Sequence, residues 1–224
     1  MRLKGVWMQH RLERLSALTG LLAVVLWVLG LVVTNSFSDK IPHHPTDEQL
    51  LTWVKGNANA ILFGGWLFAL GCLAFVWFAA ILRGQLASAE GGSATFANLA
   101  FGGALVAAAF GVLTMAGDMG SAINKDDISA ATAGTLHNAS DMFFVAAELS
   151  AILFFLGAAI VGLRTGALPK WWAWFAVLIA IVLVIGPIGW AALIFGLPIW
   201  TLGTTWLLVR PQREEAPLAA APTT

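Results

Sequence analysis

The chain has 224 residues, no formal net charge, 59% apolar residues and only 11% charged ones, against roughly 25% charged in soluble domains. So few charges cannot cover a soluble globule of this size, and the neutral balance offers nothing to a nucleic acid. The single cysteine, Cys72, excludes an internal disulfide and a cysteine-rich metal site, and reads as a buried, inert thiol.

Residues 1–15 carry Arg2, Lys4, Arg11 and Arg14 among Leu, Val, Trp and Met. The pattern fits a cytoplasmic amphipathic helix on the inner membrane surface, or a basic leader without fixed structure. The membrane domain is expected over 16–209. Its first apolar run, Ser16 to Thr34, is too long for the apolar region of a signal peptide. No A-x-A-like cleavage site follows, so the run reads as a retained span.

Residues 35–57 read as a polar loop in which Pro42 and Pro45 exclude a regular helix across the first half. A short helix is expected from Thr46 to Val54, with Thr46 as its cap and Asp47 and Glu48 at its positive end. His43 and His44 could offer imidazoles to a metal, but histidines in a solvated loop read first as exposed. The second span is expected from about Ala58 to Leu82. Arg83–Ser93, with Gly91-Gly92, then reads as a connection.

The third span is expected from about Ala94 to Gly117. Gly103, Ala107 and Gly111 form a small-residue face on it for close helix packing. Residues 118–136 read as a second polar loop, and the fourth span runs from about His137 to Leu163. The linker RTGALPK then leads to Trp171, Trp172 and Trp174, which suit a bilayer interface. The apolar stretch from Trp171 to Val209 is too long for one span. Gly186, Pro187 and Gly189 offer a turn that splits it, while Pro198 is a second possible break or a kink. Residues 210–224 are charged, then rich in Pro and Ala, and read as a disordered cytoplasmic tail.

The expected fold is therefore all-α: a polytopic membrane bundle of six transmembrane helices. Placing both termini in the cytoplasm puts Arg2, Lys4, Arg11, Arg14, Arg83, Arg164, Lys170, Arg210 and Arg213 inside. Only Lys40, Lys55 and Lys125 are then outside. This is the positive-inside bias of a multi-pass plasma-membrane protein.

Glu148 is the residue most suggestive of chemistry, because it lies inside an apolar span. Holding an acid near a helix centre costs roughly 2.5–3.5 kcal/mol on insertion scales, so a neutral or hydrogen-bonded carboxyl is expected. At about 100° per residue, His137, Asp141 and Glu148 fall within roughly 40° on one helix face and descend about 16 Å. Asp118 and Thr114, at the outer end of the third span, could join them if the two spans pair antiparallel. The five residues form a candidate intramembrane polar site. They could bind a proton or cation, hold a divalent metal, or serve as hydrogen-bonding glue between helices. For Glu148 the expected partners are Thr114 or Asp118, or the hydroxyl face of Thr201, Thr204 and Thr205. No metalloprotease, nucleophile-elbow or phosphate-loop motif is present, so no catalytic residue and no cofactor is assigned.

The segments RTGALPKWWAW and WTLGTTWLLVR, with Trp200, Trp206 and Arg210, resemble a large family of uncharacterised bacterial six-span membrane proteins. The likeness covers roughly residues 95–210. It implies six helices and a bacterial host, and it brings no established activity and no site residues. Two function classes stay open. One is a structural or accessory membrane protein acting through the lipid bilayer and other membrane helices. The other is a small carrier coupled to protons or cations through Glu148. A metal-dependent membrane enzyme is a third and weaker reading.

Overall fold

The computed structural model describes residues 16–36 and 45–210. The expected leader, His43 and His44, and all of the expected tail except Arg210 lie outside the described residues. All secondary structure among the described residues is helical: α1 (Thr19–Ser36), α2 (Asp47–Glu90), α3 (Thr95–Ile123), α4 (Ala130–Thr165), α5 (Lys170–Val184), α6 (Gly186–Ala191) and α7 (Leu197–Val209). The π-helical turn Ala192–Gly196 joins the last two.

Four helices are long and apolar enough to cross a membrane: α2, α3, α4 and the rod from Ile188 to Val209. Two shorter apolar helices, α1 and α5, accompany them. This is the composition of an integral membrane protein, since about 20 apolar residues cross the hydrocarbon core.

The long helices absorb segments that read as loops. The helix expected at Thr46–Val54 and the second span are one continuous helix of 44 residues. Thr46 does cap it. Its hydroxyl accepts from the Gln49 N–H at 3.3 Å, and the Gln49 side chain accepts from the Thr46 N–H at 2.9 Å. That reciprocal pair starts the helix, and nothing stops it at Gly56-Asn57. Likewise α2 runs on to Glu90, and α3 to Ile123. The polar loop expected at 118–136 shrinks to a turn that Ser129 closes by accepting from the Thr132 N–H at 3.2 Å. Polar residues here extend helices beyond the apolar belt. A separate small cluster of Val54, Ala58, Ile61 and Ala122 packs this extension together.

Antiparallel neighbours meet on glycine. Gly30 of α1 packs on the backbone of Gly64 and Phe68, and Gly71 of α2 on Trp27. The expected stripe on α3 divides between two partners. A side chain on Gly103 would meet the Phe154 nitrogen of α4 at 2.5 Å, whereas one on Gly111 would meet Cys72 Sγ of α2 at 3.1 Å. Small residues let helix backbones approach in lipid, where no hydrophobic force drives association.

An aromatic chain crosses the core. Trp27 meets Phe75 at 5.2 Å, Phe75 meets Phe154 at 5.4 Å, and Phe154 meets the fully buried Trp200 at 5.2 Å. It links α1, α2, α4 and α7. Thr205 of α7 lies against Gly20 of α1, so the last helix closes the bundle onto the first.

Candidate functional site

The last apolar stretch breaks at Ile185, not at Pro198. Ile185 leaves helical geometry with φ −86° and ψ 87°, and α6 begins at Gly186. Pro198 sits inside the returning rod. The π-helical turn before it, with the Leu197 N–H bonded to the Ala192 carbonyl, carries the helix past it. Trp172 at the start of α5 donates to Thr204 near the end of α7 at 2.9 Å, which fixes the two arms as an antiparallel hairpin.

Glu148 sits at the middle of α4 and is 6% exposed, so it faces the bundle and not the lipid. Its neighbour is the hairpin turn: a side chain on Gly189 would begin 3.4 Å from Glu148 Oε2. Among the described residues the carboxyl makes no hydrogen bond. This corrects the expected partners. Thr114 bonds the Phe110 carbonyl of its own helix at 3.0 Å, Asp118 pairs with His137, and Thr204 accepts from Trp172. Thr201 and Thr205 are buried without hydrogen-bond partners among the described residues, and Thr205 faces Gly20.

The five expected residues therefore do not assemble. His137 Nδ1 and Asp118 Oδ1 lie 2.9 Å apart, joining the C-terminal end of α3 to the N-terminal part of α4. Asp141, one turn deeper, is exposed and makes no hydrogen bond among the described residues. The stacked rings of Phe110 and Phe143, 6.2 Å apart, lie between that pair and Glu148. The reason is register. Gly117 of α3 packs on Leu136 and Ser140, and Gly103 on Phe154, so Thr114 stands about level with Asp141, roughly two turns from Glu148.

No group of three His, Cys, Asp or Glu side chains among the described residues is placed to hold a metal ion. A cavity of about 100 Å³ opens at the bundle centre, lined by Trp27, Phe68, Cys72, Gly111, Phe144, Ala147 and the π-turn residues Leu193 and Ile194, among others. Its wall is almost wholly apolar, and the Thr114 hydroxyl in it is spent on its own helix. The α6–α7 rod thus touches both features: Gly189 meets the carboxyl, and Leu193 lines the cavity.

At the opposite end of the bundle, Arg83 donates to Asn98 at 2.8 Å. Glu90 accepts from the Phe96 and Ala97 N–H groups at 3.0 and 2.8 Å. Ala94 enters α3 with φ +50° and no side-chain cap of its own, so the last residue of α2 caps the next helix. Sequence reasoning missed this role, and also the part of Leu183 and Gly189 around Glu148. Pro187 and Gly189 signalled only a turn.

No family model matches the chain, and neither does any curated protein or solved structure.

Proposed function

We propose that the chain is a six-span protein of a bacterial plasma membrane with both termini cytoplasmic, working as a small carrier coupled to a proton or cation through Glu148. The observation that carries this reading is a buried acid with no hydrogen-bond partner. An intramembrane acid costs roughly 2.5–3.5 kcal/mol, and a purely structural acid would offset that cost with a hydrogen bond. Glu148 has none. It lies instead against a broken helix, the arrangement by which carriers bring backbone and side-chain groups to a coupling ion.

Helix lengths support the span count. At about 1.5 Å per residue, α1 reaches roughly 27 Å and α5 roughly 22 Å, against about 30 Å of hydrocarbon. The α5–α6 turn then lies within the outer leaflet, as do the lipid-facing Val184 and Ile188 beside it. The nine-to-three split of basic residues supports cytoplasmic termini, and the linker likeness supports the bacterial host. The apolar cavity favours an apolar solute, and the shared rod gives a physical link between solute and ion.

The accessory reading keeps one support, the lipid-facing apolar belt of α2 with Phe63, Trp66, Leu73 and Trp77 exposed, which another membrane helix could cover. The test is coupled flux in vesicles carrying the purified chain and a lumenal pH dye. Adding apolar solutes down their gradient should shift lumenal pH for at least one solute, and Glu148→Gln should abolish the shift. Solute-driven shifts that survive Glu148→Gln unchanged would reject the role of Glu148.

A further inference from the structure

The carboxyl of Glu148 and the carbonyl of Leu183 flank one empty position. A side chain on Gly189 would begin 3.1 Å from the Leu183 oxygen and 3.4 Å from Glu148 Oε2. Its absence lets an acid of α4 and a carbonyl of α5 share the space.

The carbonyl is available for a covalent reason. In an uninterrupted helix it would accept from the N–H four residues on. That residue is Pro187, which has no N–H. The neighbouring N–H groups of the turn are engaged elsewhere, Ile185 to Val182, and Ile188 and Gly189 to Ile185. A carbonyl that has lost its i+4 donor thus borders the same position as an acid without a partner among the described residues, and both residues are buried, at 2% and 6% exposure.

Two oxygens brought together with no hydrogen between them repel, and a proton on the carboxyl makes their approach attractive. We propose that Glu148 and the Leu183 carbonyl form a proton-binding site. The protonated carboxyl donates to the carbonyl and docks the α5–α6 turn onto α4, and loss of the proton releases the turn. The proton comes from water at the outer surface and adds to the carboxylate, and no other bond changes. This inference rests on the reading of Glu148 as the coupling group and narrows the coupling ion to a proton. One carboxylate and one carbonyl fall short of the roughly six oxygens a hard metal cation takes.

Few other titratable groups compete. The chain from Trp171 to Val209 contains none. On α3 there is only Asp118, held by His137. On α4 itself, Asp141 and His137 lie two and three turns toward the outer end. Cys72 of α2 lines the central cavity, which Glu148 does not line.

The test is the carboxylic C=O stretch in infrared spectra of the full chain in lipid vesicles, followed over pH. The expected result is a band that is absent from Glu148→Gln. It should move to higher frequency in Pro187→Ala, where a new N–H takes the Leu183 carbonyl, and in Gly189→Ala, where a Cβ holds the groups apart. Should the amide variant fail to fold, Glu148→Asp identifies the band instead, since its shorter reach also shifts it. A Glu148 band indifferent to both Pro187→Ala and Gly189→Ala overturns the pairing while leaving Glu148 a proton site. No Glu148-dependent carboxylic band at any pH overturns the proposal entirely. The carrier reading fails separately, through absence of coupled flux from a chain whose band behaves as expected.

Discussion

The indole N–H of Trp172 donates to the hydroxyl of Thr204 at 2.9 Å, tying the first turn of α5 to the last turns of α7. Both residues are buried, and the Trp172 ring also stacks on Trp200 with centroids 6.4 Å apart. The bond closes the open end of the hairpin whose turn meets Glu148. Polar bonds between membrane helices average about 0.6 kcal/mol and reach about 1.7. Trp172→Phe, which keeps the ring packing, should destabilise by that order in a reversible unfolding assay in detergent. Thr204→Val should add nothing further in the double variant, since the two changes remove one bond.

Adjacent glycines on α3 should respond with opposite signs. A side chain on Gly103 would meet the Phe154 nitrogen at 2.5 Å and the Ser150 carbonyl at 2.9 Å, whereas one on Gly102 meets nothing within 4 Å. Gly103→Ala must push α4 away and should cost about 1–3 kcal/mol, as overpacking does. Gly102→Ala should be neutral or stabilise by up to about 1 kcal/mol through helix propensity. Thermal unfolding of the two variants beside the parent chain checks the contrast.

Glu90 lies beyond the apolar part of α2, which ends near Leu82. The N–H of Phe96 holds its carboxyl below the ordinary range, with help from Ala97 and the Arg164 charge against some desolvation. A lowered folded value means that the capping contribution is full above the ordinary value of about 4.3 and fades as pH falls through the lowered one. Glu90→Gln should unfold more easily than the parent at pH 7, and the two curves should converge in acid. A difference that stays constant down to the acid limit would contradict the capping role.

How much of this was legible in the sequence depends on the kind of signal. Apolar runs and the capping residue Thr46 marked the helices, because lipid burial and N-terminal capping act over a few residues. Helix ends were misjudged wherever polar residues continued a helix past the apolar belt, as at Asp118–Ile123, since polarity marks the end of burial and not of hydrogen bonding. The Asp118–His137 pair was readable as two residues at one height on adjacent antiparallel helices. The neighbour of Glu148 was not. It depends on where a Pro/Gly turn folds back in space, and a helical wheel of α4 carries no information about that.

The central cavity offers a test of its own. Ala107 and Cys72 both line it. Ala107→Leu adds apolar atoms where little else contacts them, and should stabilise the chain by about 0.5–2 kcal/mol, as cavity filling commonly does. The same change should reduce coupled flux if the solute occupies this space. Cys72, the chain's one thiol, is buried and should react with a maleimide only after unfolding. Rapid labelling of the folded chain would show that the bundle centre is open.

The central claim, that Glu148 exchanges a proton within the membrane, is tested most directly without any solute. Vesicles carrying the full chain are adsorbed on a solid-supported membrane, and the transient charge displacement after a rapid pH jump is recorded. The parent chain should give a transient that saturates with jump size. Glu148→Gln, folded to the same helicity, should give none, and His137→Ala should leave the transient in place. A transient of equal size in Glu148→Gln would contradict the account.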